Sequence, residues 1–238
     1  MKEYKYDLHI HSALSPCADE EMTPNNIARM CMLGGIEIAA LTDHNTTANC
    51  PAFFRACVDT GVLPVAGCEV NTSEEIHVLS LFPRLESAMK FSEFLYPHIP
   101  DISNDPDVFG RQVYMDENDA ETGTEEKLLI AATDISMDDI YEIVRAHGGV
   151  AVPAHIDRPA FSLLYNFGFI PDGYPFRAYE ICAPDDKTAA ELIDANPLLD
   201  GKTLLFDSDA HTLAGLVRDA KGILLSEPTA AALIDALR

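Results

Sequence analysis

The chain has 238 residues, with 39 acidic and 16 basic side chains and a formal net charge of -23. This length fits one domain, or one domain that carries an insertion. No apolar run approaches the length of a membrane span and the N-terminus has no signal-peptide core, so we expect a cytoplasmic protein without a membrane partner. Because the acidic surface repels polyanions and no basic cluster offsets it, we also expect no binding of long nucleic acids.

Short apolar runs alternate with helical patterns along most of the chain. The predicted strands are, in chain order, KYDLHI, IEIAALT, LPVAGCEV, EIHVLSLF, GVAVPA, RAYEIC, KTLLFDSDA and KGILLS. Predicted helices follow Thr23-Pro24, Pro51 and Ser136, span residues 85–95 and 186–195, and end the chain at TAAALIDALR. A Ser or Thr cap with Pro in the first turn is typical of a helix start. This alternation predicts an α/β fold with a mostly parallel sheet.

The alternation is interrupted at residues 97–127. This stretch is polar, acidic and rich in turn residues. Such a stretch inside a regular pattern is typical of an insertion. We therefore expect a single domain over residues 1–238, with an insertion at 97–127 that is partly a hairpin and forms a cap over one rim.

Histidine and carboxylate residues occur at the ends of the predicted strands. Neither GxGxxG nor GxxxxGK[ST] is present, so a doubly wound nucleotide-binding sheet would lack its phosphate loop. In a (β/α) barrel the active site lies at the C-terminal ends of the strands. Six of the eight histidines follow this rule, together with two carboxylates: His9, His11, His44, Glu69, His77, His155, Asp209 and His211. The remaining histidines, His98 and His147, fit a loop and a helix end.

The spacing of these residues indicates a metal site. Residues i and i+2 of a strand point to the same side, so His9 and His11 aim together, as do Asp209 and His211. Imidazole suits Zn, Fe and Mn, and carboxylates are easily shared between two ions. The set has more ligands than one ion can use, which predicts two or three divalent metal ions. Neighbouring ions of this kind catalyse phosphoryl displacement.

Six motifs in order, DLHIH, LTDH, GCE, IHV, PAHI and DSDAH, resemble those of the PHP (polymerase and histidinol phosphatase) superfamily. They span residues 6–211. The resemblance implies a distorted (β/α)7 TIM-like barrel with an inserted segment, a di- or trinuclear metal site, and hydrolysis of phosphoesters.

The resemblance also implies which residues bind each ion. One ion would be held by His9, His11, Glu69 and Asp209, a second by Glu69, His77 and His155, and a third with help from His44 and His211. The family usually completes the third site with an Asp shortly before a helix-opening Thr-Pro, and Asp19 stands at that distance. Cys17 is the alternative, because a thiolate also binds Zn. Glu69, Asp209 and His44 are the expected catalytic residues. Asp7 is expected to accept a hydrogen bond from a ligand imidazole.

A cationic metal pocket in an acidic protein would attract a small phosphate. We therefore expect hydrolysis of a small phosphomonoester, such as a nucleotide, a sugar phosphate or histidinol phosphate. The alternatives are a PHP-type exonuclease or oligonucleotide phosphodiesterase, and a non-catalytic metal-binding module. Arg158, three residues after His155, is the first candidate for binding phosphate oxygens, and Arg111 is the second.

Overall fold

The computed structural model describes residues 1–182, 185–216 and 219–238. In these residues the strands are β1 (Lys2–Ile10), β2 (Ile38–Leu41), β3 (Leu63–Asn71), β4 (His77–Phe82), β5 (Val113–Met115), β6 (Glu121–Thr124), β7 (Val150–Pro153), β8 (Ala178–Glu180), β9 (Thr203–Leu205) and β10 (Gly222–Leu225). The helices are α1 (Pro24–Leu33), α2 (Cys50–Ala56), α3 (Leu85–Leu95), α4 (Pro106–Phe109), α5 (Met137–Ala146), α6 (Leu163–Phe167), α7 (Asp186–Ala195) and α8 (Ala230–Leu237). Among them, no helix is both long and apolar enough to cross a membrane.

The main sheet has six strands in the order β10-β1-β2-β3-β4-β7. The pairs β1–β2 and β2–β3 are parallel, whereas β10–β1, β3–β4 and β4–β7 are antiparallel. The expectation of a mostly parallel sheet is therefore wrong for this sheet. The reason is the tight connection between β3 and β4, in which Thr72 N–H donates to Ile76 O at 3.0 Å. A connection this short joins only antiparallel strands.

The sheet curls towards a closed barrel. Strands β8 and β9 form a parallel pair, and this pair lies between β7 and β1. On one side Ile156 N–H donates to Glu180 O at 2.9 Å, and on the other His11 N–H donates to Ala210 O at 3.0 Å. The predicted distorted barrel is confirmed, and strands β1–β4 and β7–β9 form its wall.

Local sequence signals place the helices against this wall. The side chains of Thr23, Ser136 and Thr229 accept hydrogen bonds from the first turns of α1, α5 and α8, as expected of N-cap residues. Helices α1, α2, α3 and α5 bury apolar side chains against the outside of the sheet. Helix α8 packs Leu233, Ile234 and Leu237 against the strands. Arg238, next to α8, donates to the carbonyls of Gly148 and Gly149 at the start of β7, so α8 lies at the N-terminal end of that strand.

The segment predicted as an insertion contains α4 and the β5–β6 hairpin. It packs on the loop that follows β1, where Val113 N–H donates to Ala13 O at 2.9 Å. Gly110, at φ 99°, lies so close to this loop that a Cβ would come within 2.1 Å of Pro16 O. The hairpin turn also contacts the start of α1, where Thr23 donates to Asp119 at 2.7 Å. Its role as a cap stays a prediction.

Candidate metal centre

Glu69, at the end of β3, lies at the centre of a buried group of histidines. Its Oε1 atom is 3.1 Å from His9 Nε2, 2.8 Å from His77 Nδ1 and 3.1 Å from His155 Nε2. Its Oε2 atom is 3.0 Å from His44 Nδ1 and 3.4 Å from His11 Nε2. One carboxylate therefore contacts five imidazoles that come from four different strands or strand ends. This is the arrangement of a carboxylate that can bridge two ions.

The contacts of the other ring nitrogens fix the tautomers of His9 and His11. His9 Nδ1 lies 3.0 Å from both carboxylate oxygens of Glu180, so in its neutral form His9 carries the proton on Nδ1 and a lone pair on Nε2. His11 Nδ1 lies 2.9 Å from Ser15 Oγ, whose own proton goes to Asp43 Oδ1 at 2.7 Å. His11 Nε2 therefore carries a lone pair as well. A metal ligand histidine is typically oriented in this way by a partner on its second nitrogen.

Asp209 completes this side of the site. Its Oδ1 atom lies 3.3 Å from the Nε2 atoms of both His9 and His11, and its backbone carbonyl accepts from His211 Nδ1 at 2.8 Å. The second carboxylate oxygen of Asp209 forms an ion pair with Arg158. Arg158 is thus fixed at the edge of the histidine cluster, where half of its side chain stays exposed.

Within the part of the chain that the structure describes, four buried atoms of the cluster have no hydrogen-bond partner: His44 Nδ1, His77 Nδ1, His155 Nδ1 and Glu69 Oε2. His44 Nδ1 and His77 Nδ1 lie within 3.0 Å of Glu69, so they are close to an acceptor but poorly aligned with it. Buried polar atoms without partners are costly, and native proteins supply a partner for nearly all of them. A metal ion held by His44, Glu69 and His77, whose ligand atoms lie within 4.8 Å of one another, would provide that partner for three of these atoms. The residues present therefore fit a metal centre.

The charges in the site also favour a cation. Burial raises the pKa of Glu69, but His77, His9 and His44 hold it well below its usual range. Burial alone lowers the pKa of His9, yet Glu180, Glu69 and Asp209 raise it well above the ordinary value. Burial lowers the pKa of His77 to about 4 despite the attraction of Glu69. The carboxylates thus attract positive charge, while His77 is neutral near pH 7, as a metal ligand must be.

Four groups of side chains bring potential ligand atoms within 4.8 Å of one another: His9–His11–Asp209, His9–Glu69–His155, His44–Glu69–His77 and His11–His44–His211. Eight of the nine residues predicted as metal ligands belong to these groups. Compared with the expected assignment, His77 shares a group with His44 and His155 shares one with His9. The geometry therefore brings together the predicted cluster with its members partly regrouped.

Asp19 is the predicted ligand that belongs to none of these groups. Its backbone N–H donates to His211 O at 2.9 Å, so the main chain, not the carboxylate, contacts the cluster. Cys17 is exposed and also belongs to none of these groups, but it lines the cavity beside His44 and His211. Desolvation raises the pKa of the Cys17 thiol, but the charges and hydrogen bonds of His44 and His211 lower it to about 6.

The two predicted substrate-binding arginines lie in different places. Arg158 lines a cavity of about 290 Å³ together with His44, His77, Phe161 and Asp209. Arg111 lies on the β5–β6 side and forms exposed ion pairs with Glu121 and Glu20. It lines a separate cavity with Gln112 and Glu125. The structure therefore brings Arg158, and not Arg111, next to the metal cluster.

The carboxylate that orients the His9 ring was not found by sequence reasoning. We expected Asp7 to accept a hydrogen bond from a ligand imidazole, but the partner of His9 Nδ1 is Glu180, at the end of β8. Asp7 accepts the backbone N–H of Ser208 at 3.0 Å. Glu180 Oε2 also accepts the N–H of His155 at 2.8 Å. An acidic residue at the end of the apolar strand RAYEIC was the available signal, since Glu69 ends its own strand in the same way.

Backbone strain concentrates around the cluster. The non-glycine residues with positive φ include Asn45 (52°), His155 (29°), Phe161 (51°) and Asp209 (49°). Each is a cluster member or lies beside one. Such conformations cost of order 1–3 kcal/mol each and persist where the surrounding structure holds them, often at functional sites.

A barrel with histidines and carboxylates gathered at its strand ends defines the class of metal-dependent hydrolases. The protein-family model described as the PHP domain matches residues 7–166 of the sequence, so this chain belongs to the PHP family. Membership makes it a metal-dependent hydrolase that acts on phosphoester bonds, and not the non-catalytic module that was one alternative from the sequence.

Among curated proteins, the chain is similar to a 5'-3' exoribonuclease of Haemophilus influenzae, with 32% identity over 80 residues. The match covers 32% of this chain and 28% of the exoribonuclease. An uncharacterised protein of Methanocaldococcus jannaschii is 34% identical over 86 residues, which is 33% of this chain and 50% of that protein. The chain thus matches half or less of the length of these relatives.

Solved structures share the fold. The lesion-specific endonuclease EndoQ of Pyrococcus furiosus superposes with a TM-score of 0.72 at 21% identity, covering 99% of this chain and 56% of that chain. A structure of Endonuclease Q with a 27-mer duplex substrate, which has an abasic lesion at the active site, gives a TM-score of 0.71 at 20% identity. A candidate metal-dependent phosphoesterase of Bifidobacterium adolescentis gives 0.58 at 19% identity, covering 90% of this chain and 89% of that chain.

These findings correct one expectation from the sequence. The net charge led us to expect no binding of long nucleic acids, but a protein of this fold is bound to a 27-mer duplex and a relative is an exoribonuclease. The physical reason is that exposed charges farther away than the Debye length, about 10 Å at 0.1 M salt, are largely screened. The charge near the site therefore matters more for binding a long nucleic acid than the net charge of the whole chain.

Proposed function

We propose that this chain is a metal-dependent phosphoesterase that cleaves a phosphodiester next to a nucleotide unit. The observation that carries the proposal is Glu69, whose carboxylate contacts the imidazoles of five histidines in a buried cluster. Family membership supports the phosphoester chemistry. The names of the relatives, an exoribonuclease and a lesion-specific endonuclease, support a nucleic-acid substrate.

We further propose that two or three ions of Zn, Mn or Fe occupy the cluster. The proposed ligands are His9, His11, His44, Glu69, His77, His155, Asp209 and His211. When bound, such ions lower the pKa of a coordinated water and neutralise phosphate charge. Glu69 would bridge two of them. Glu180 and Ser15 would keep the lone pairs of His9 and His11 directed at the ions.

Two further side chains complete the proposed site. Cys17 is proposed in place of Asp19 as the additional ligand beside His44 and His211, since it lines the cavity with them. Arg158 is proposed to bind phosphate oxygens, because it is held at the cavity by Asp209 and its guanidinium offers a fork of donors.

A second candidate substrate is a nucleotide phosphomonoester. It is favoured by the small size of the cavity, about 290 Å³, which lies at the lower end of the range for ligand pockets. A phosphomonoesterase and a phosphodiesterase can share the same metal centre, so the substrate must be distinguished by products.

The experiment is a panel of substrates incubated with protein loaded with Mn²⁺ or Zn²⁺. The panel contains single-stranded and duplex DNA and RNA with labelled ends, mononucleotides and ribose 5-phosphate. We expect cleavage of oligonucleotides, with Glu69→Gln as the inactive control. Release of inorganic phosphate from mononucleotides alone would support the second candidate. No hydrolysis of any member by metal-loaded protein would contradict the proposed function.

A further inference from the structure

Phe161 places an aromatic ring at the wall of the metal cavity. The ring stacks on His77, with 4.9 Å between ring centroids and 16° between ring planes. Phe161 nevertheless stays 44% exposed, and it lines the same cavity as His44, Arg158 and Asp209. Because the imidazole covers one face of the ring, its exposed surface is the other face and the edge.

The backbone holds this ring in place. Phe161 has a φ of 51°, which is unfavourable for a bulky side chain. Its carbonyl accepts the N–H of His77 at 3.1 Å, so the residue is tied to the first residue of β4. The next residue, Ser162, is buried; its hydroxyl contacts Arg158 O at 2.5 Å, and it caps α6. The strained position is thus fixed between a strand and a helix start.

We propose that Phe161 is a substrate-positioning residue that stacks on the nucleobase adjacent to the scissile phosphate. This inference rests on the proposed function and names the part of the substrate that the cavity recognises. An exposed aromatic face beside a phosphate-cleaving centre suits a base, since every nucleobase has a π-face that stacks on aromatic side chains. A sugar phosphate without a base offers no such partner.

The charged side chains on the two sides of the Phe161 ring indicate how a nucleotide would be oriented. Arg158 and the metal cluster lie on the cavity side, where they suit the phosphate. The groove on the other side of Phe161 is lined by Glu74 and Glu75 with Tyr165 and Asn166. Carboxylates repel a phosphate but can accept hydrogen bonds from the exocyclic amines of a base. The base therefore lies over Phe161, and the phosphate lies towards Arg158.

The test measures binding of adenosine 5'-monophosphate and ribose 5-phosphate to the metal-loaded protein by calorimetry. The two ligands share the sugar and phosphate and differ only in the base. For wild type we expect the nucleotide to bind more tightly by about 5- to 150-fold, which corresponds to the stacking of one base. Phe161→Leu should remove most of this preference while binding of ribose 5-phosphate changes little. Phe161→Trp and Phe161→Tyr should keep the preference.

The matched control is Phe109→Leu, which removes another exposed aromatic ring, on α4. It should leave the preference unchanged. Metal content and melting temperature are measured for every variant, and the aromatic replacements keep the proposal testable if Phe161→Leu does not fold.

Equal binding of the two ligands by wild type, or an unchanged preference in Phe161→Leu, would overturn the proposal while leaving the hydrolase intact. Tighter binding of phosphotyrosine than of the nucleotide would assign the ring to aryl phosphates and also overturn it. If neither ligand binds and no phosphodiester is cleaved, the proposed function itself fails, and the inference fails with it.

Discussion

His9 and His11 point their Nε2 atoms at each other across 3.1 Å. In the neutral forms both nitrogens carry lone pairs, because Glu180 and Ser15 accept the protons of the opposite ring nitrogens; the pKa of His9 is raised well above its ordinary value by Glu180, Glu69 and Asp209, so His9 gains a second proton when no ion is bound. Two lone pairs at this distance repel unless a cation lies between them or one ring gains a second proton. The surroundings therefore prepare these rings for a positive charge, and the Asp209 carboxylate, 3.3 Å from both nitrogens, completes the site.

The first prediction concerns Glu180. Replacing Glu180 with Gln leaves one acceptor oxygen and removes the negative charge behind His9. Loss of such an orienting partner typically weakens metal affinity about 10- to 100-fold. Competition with a chromophoric chelator measures this affinity. The matched control is Asp134→Asn, because Asp134 forms a comparable pair with His98 at 2.6 Å outside the cluster. Unchanged metal affinity in Glu180→Gln would show that the His9 ring needs no such partner.

Glu180 illustrates what sequence alone could and could not predict. The i, i+2 spacing of His9 and His11 and the position of Glu69 at a strand end identify the cluster without a structure. Glu180 joins them only because the barrel closes and brings β8 next to β7, with β9 between β8 and β1. No local pattern encodes that closure.

The loop after β1 is a second region whose contribution to the site could not be predicted from the sequence. Counting residues back from Thr23-Pro24 favoured Asp19 as a ligand, but the loop's path places Cys17 at the cavity. An irregular loop has no residue periodicity, so the spacing of its residues does not show which side chain points into the site. The alternation of strands and helices predicted a mostly parallel sheet and did not reveal that the short connection after β3 makes β4 antiparallel to it.

The second prediction distinguishes these two side chains. Cys17→Ala should lower the metal content per chain, measured by elemental analysis after gel filtration, because it removes a thiolate ligand next to His44 and His211. Asp19→Ala is the control and should keep the wild-type metal content. The reverse result, with metal lost only from Asp19→Ala, would return the role to the carboxylate.

The third prediction concerns Arg158. Arg158→Met removes the guanidinium but keeps an unbranched side chain. The resulting fall in kcat/KM should correspond to a loss of about 1.5–3 kcal/mol of transition-state stabilisation. Metal content is measured in parallel, because Arg158 also pairs with the proposed ligand Asp209. Arg145→Met, which removes an exposed arginine on α5, should have normal kinetics. Normal kinetics with a lower melting temperature in Arg158→Met would instead indicate a structural role.

The fourth prediction tests how the β5–β6 hairpin is attached to the barrel. The Asp119 carboxylate accepts hydrogen bonds from the Thr23 hydroxyl at 2.7 Å and from the backbone N–H of Asn25 at 3.0 Å. Asn25 lies in the first turn of α1, where a backbone N–H group has no hydrogen-bond partner within the helix. Asp119→Ala should lower the free energy of unfolding by about 0.5–2 kcal/mol, as for loss of a cap.

Chemical denaturation measures this difference through the midpoint. Asn118→Ala, in the same turn, is the control and should change stability by less than about 0.5 kcal/mol. Equal stability of Asp119→Ala and wild type would mean that the hairpin contributes nothing to the start of α1.

The histidine and carboxylate cluster is proposed to be a metal centre that hydrolyses phosphodiesters. The most direct test strips the protein of metal, confirms the removal by elemental analysis, and then titrates Mn²⁺ or Zn²⁺ while cleavage of a labelled oligonucleotide is followed. We expect no cleavage by the stripped protein, and a rate that rises in step with bound metal until the cluster is full. Full activity of verified metal-free protein would contradict it.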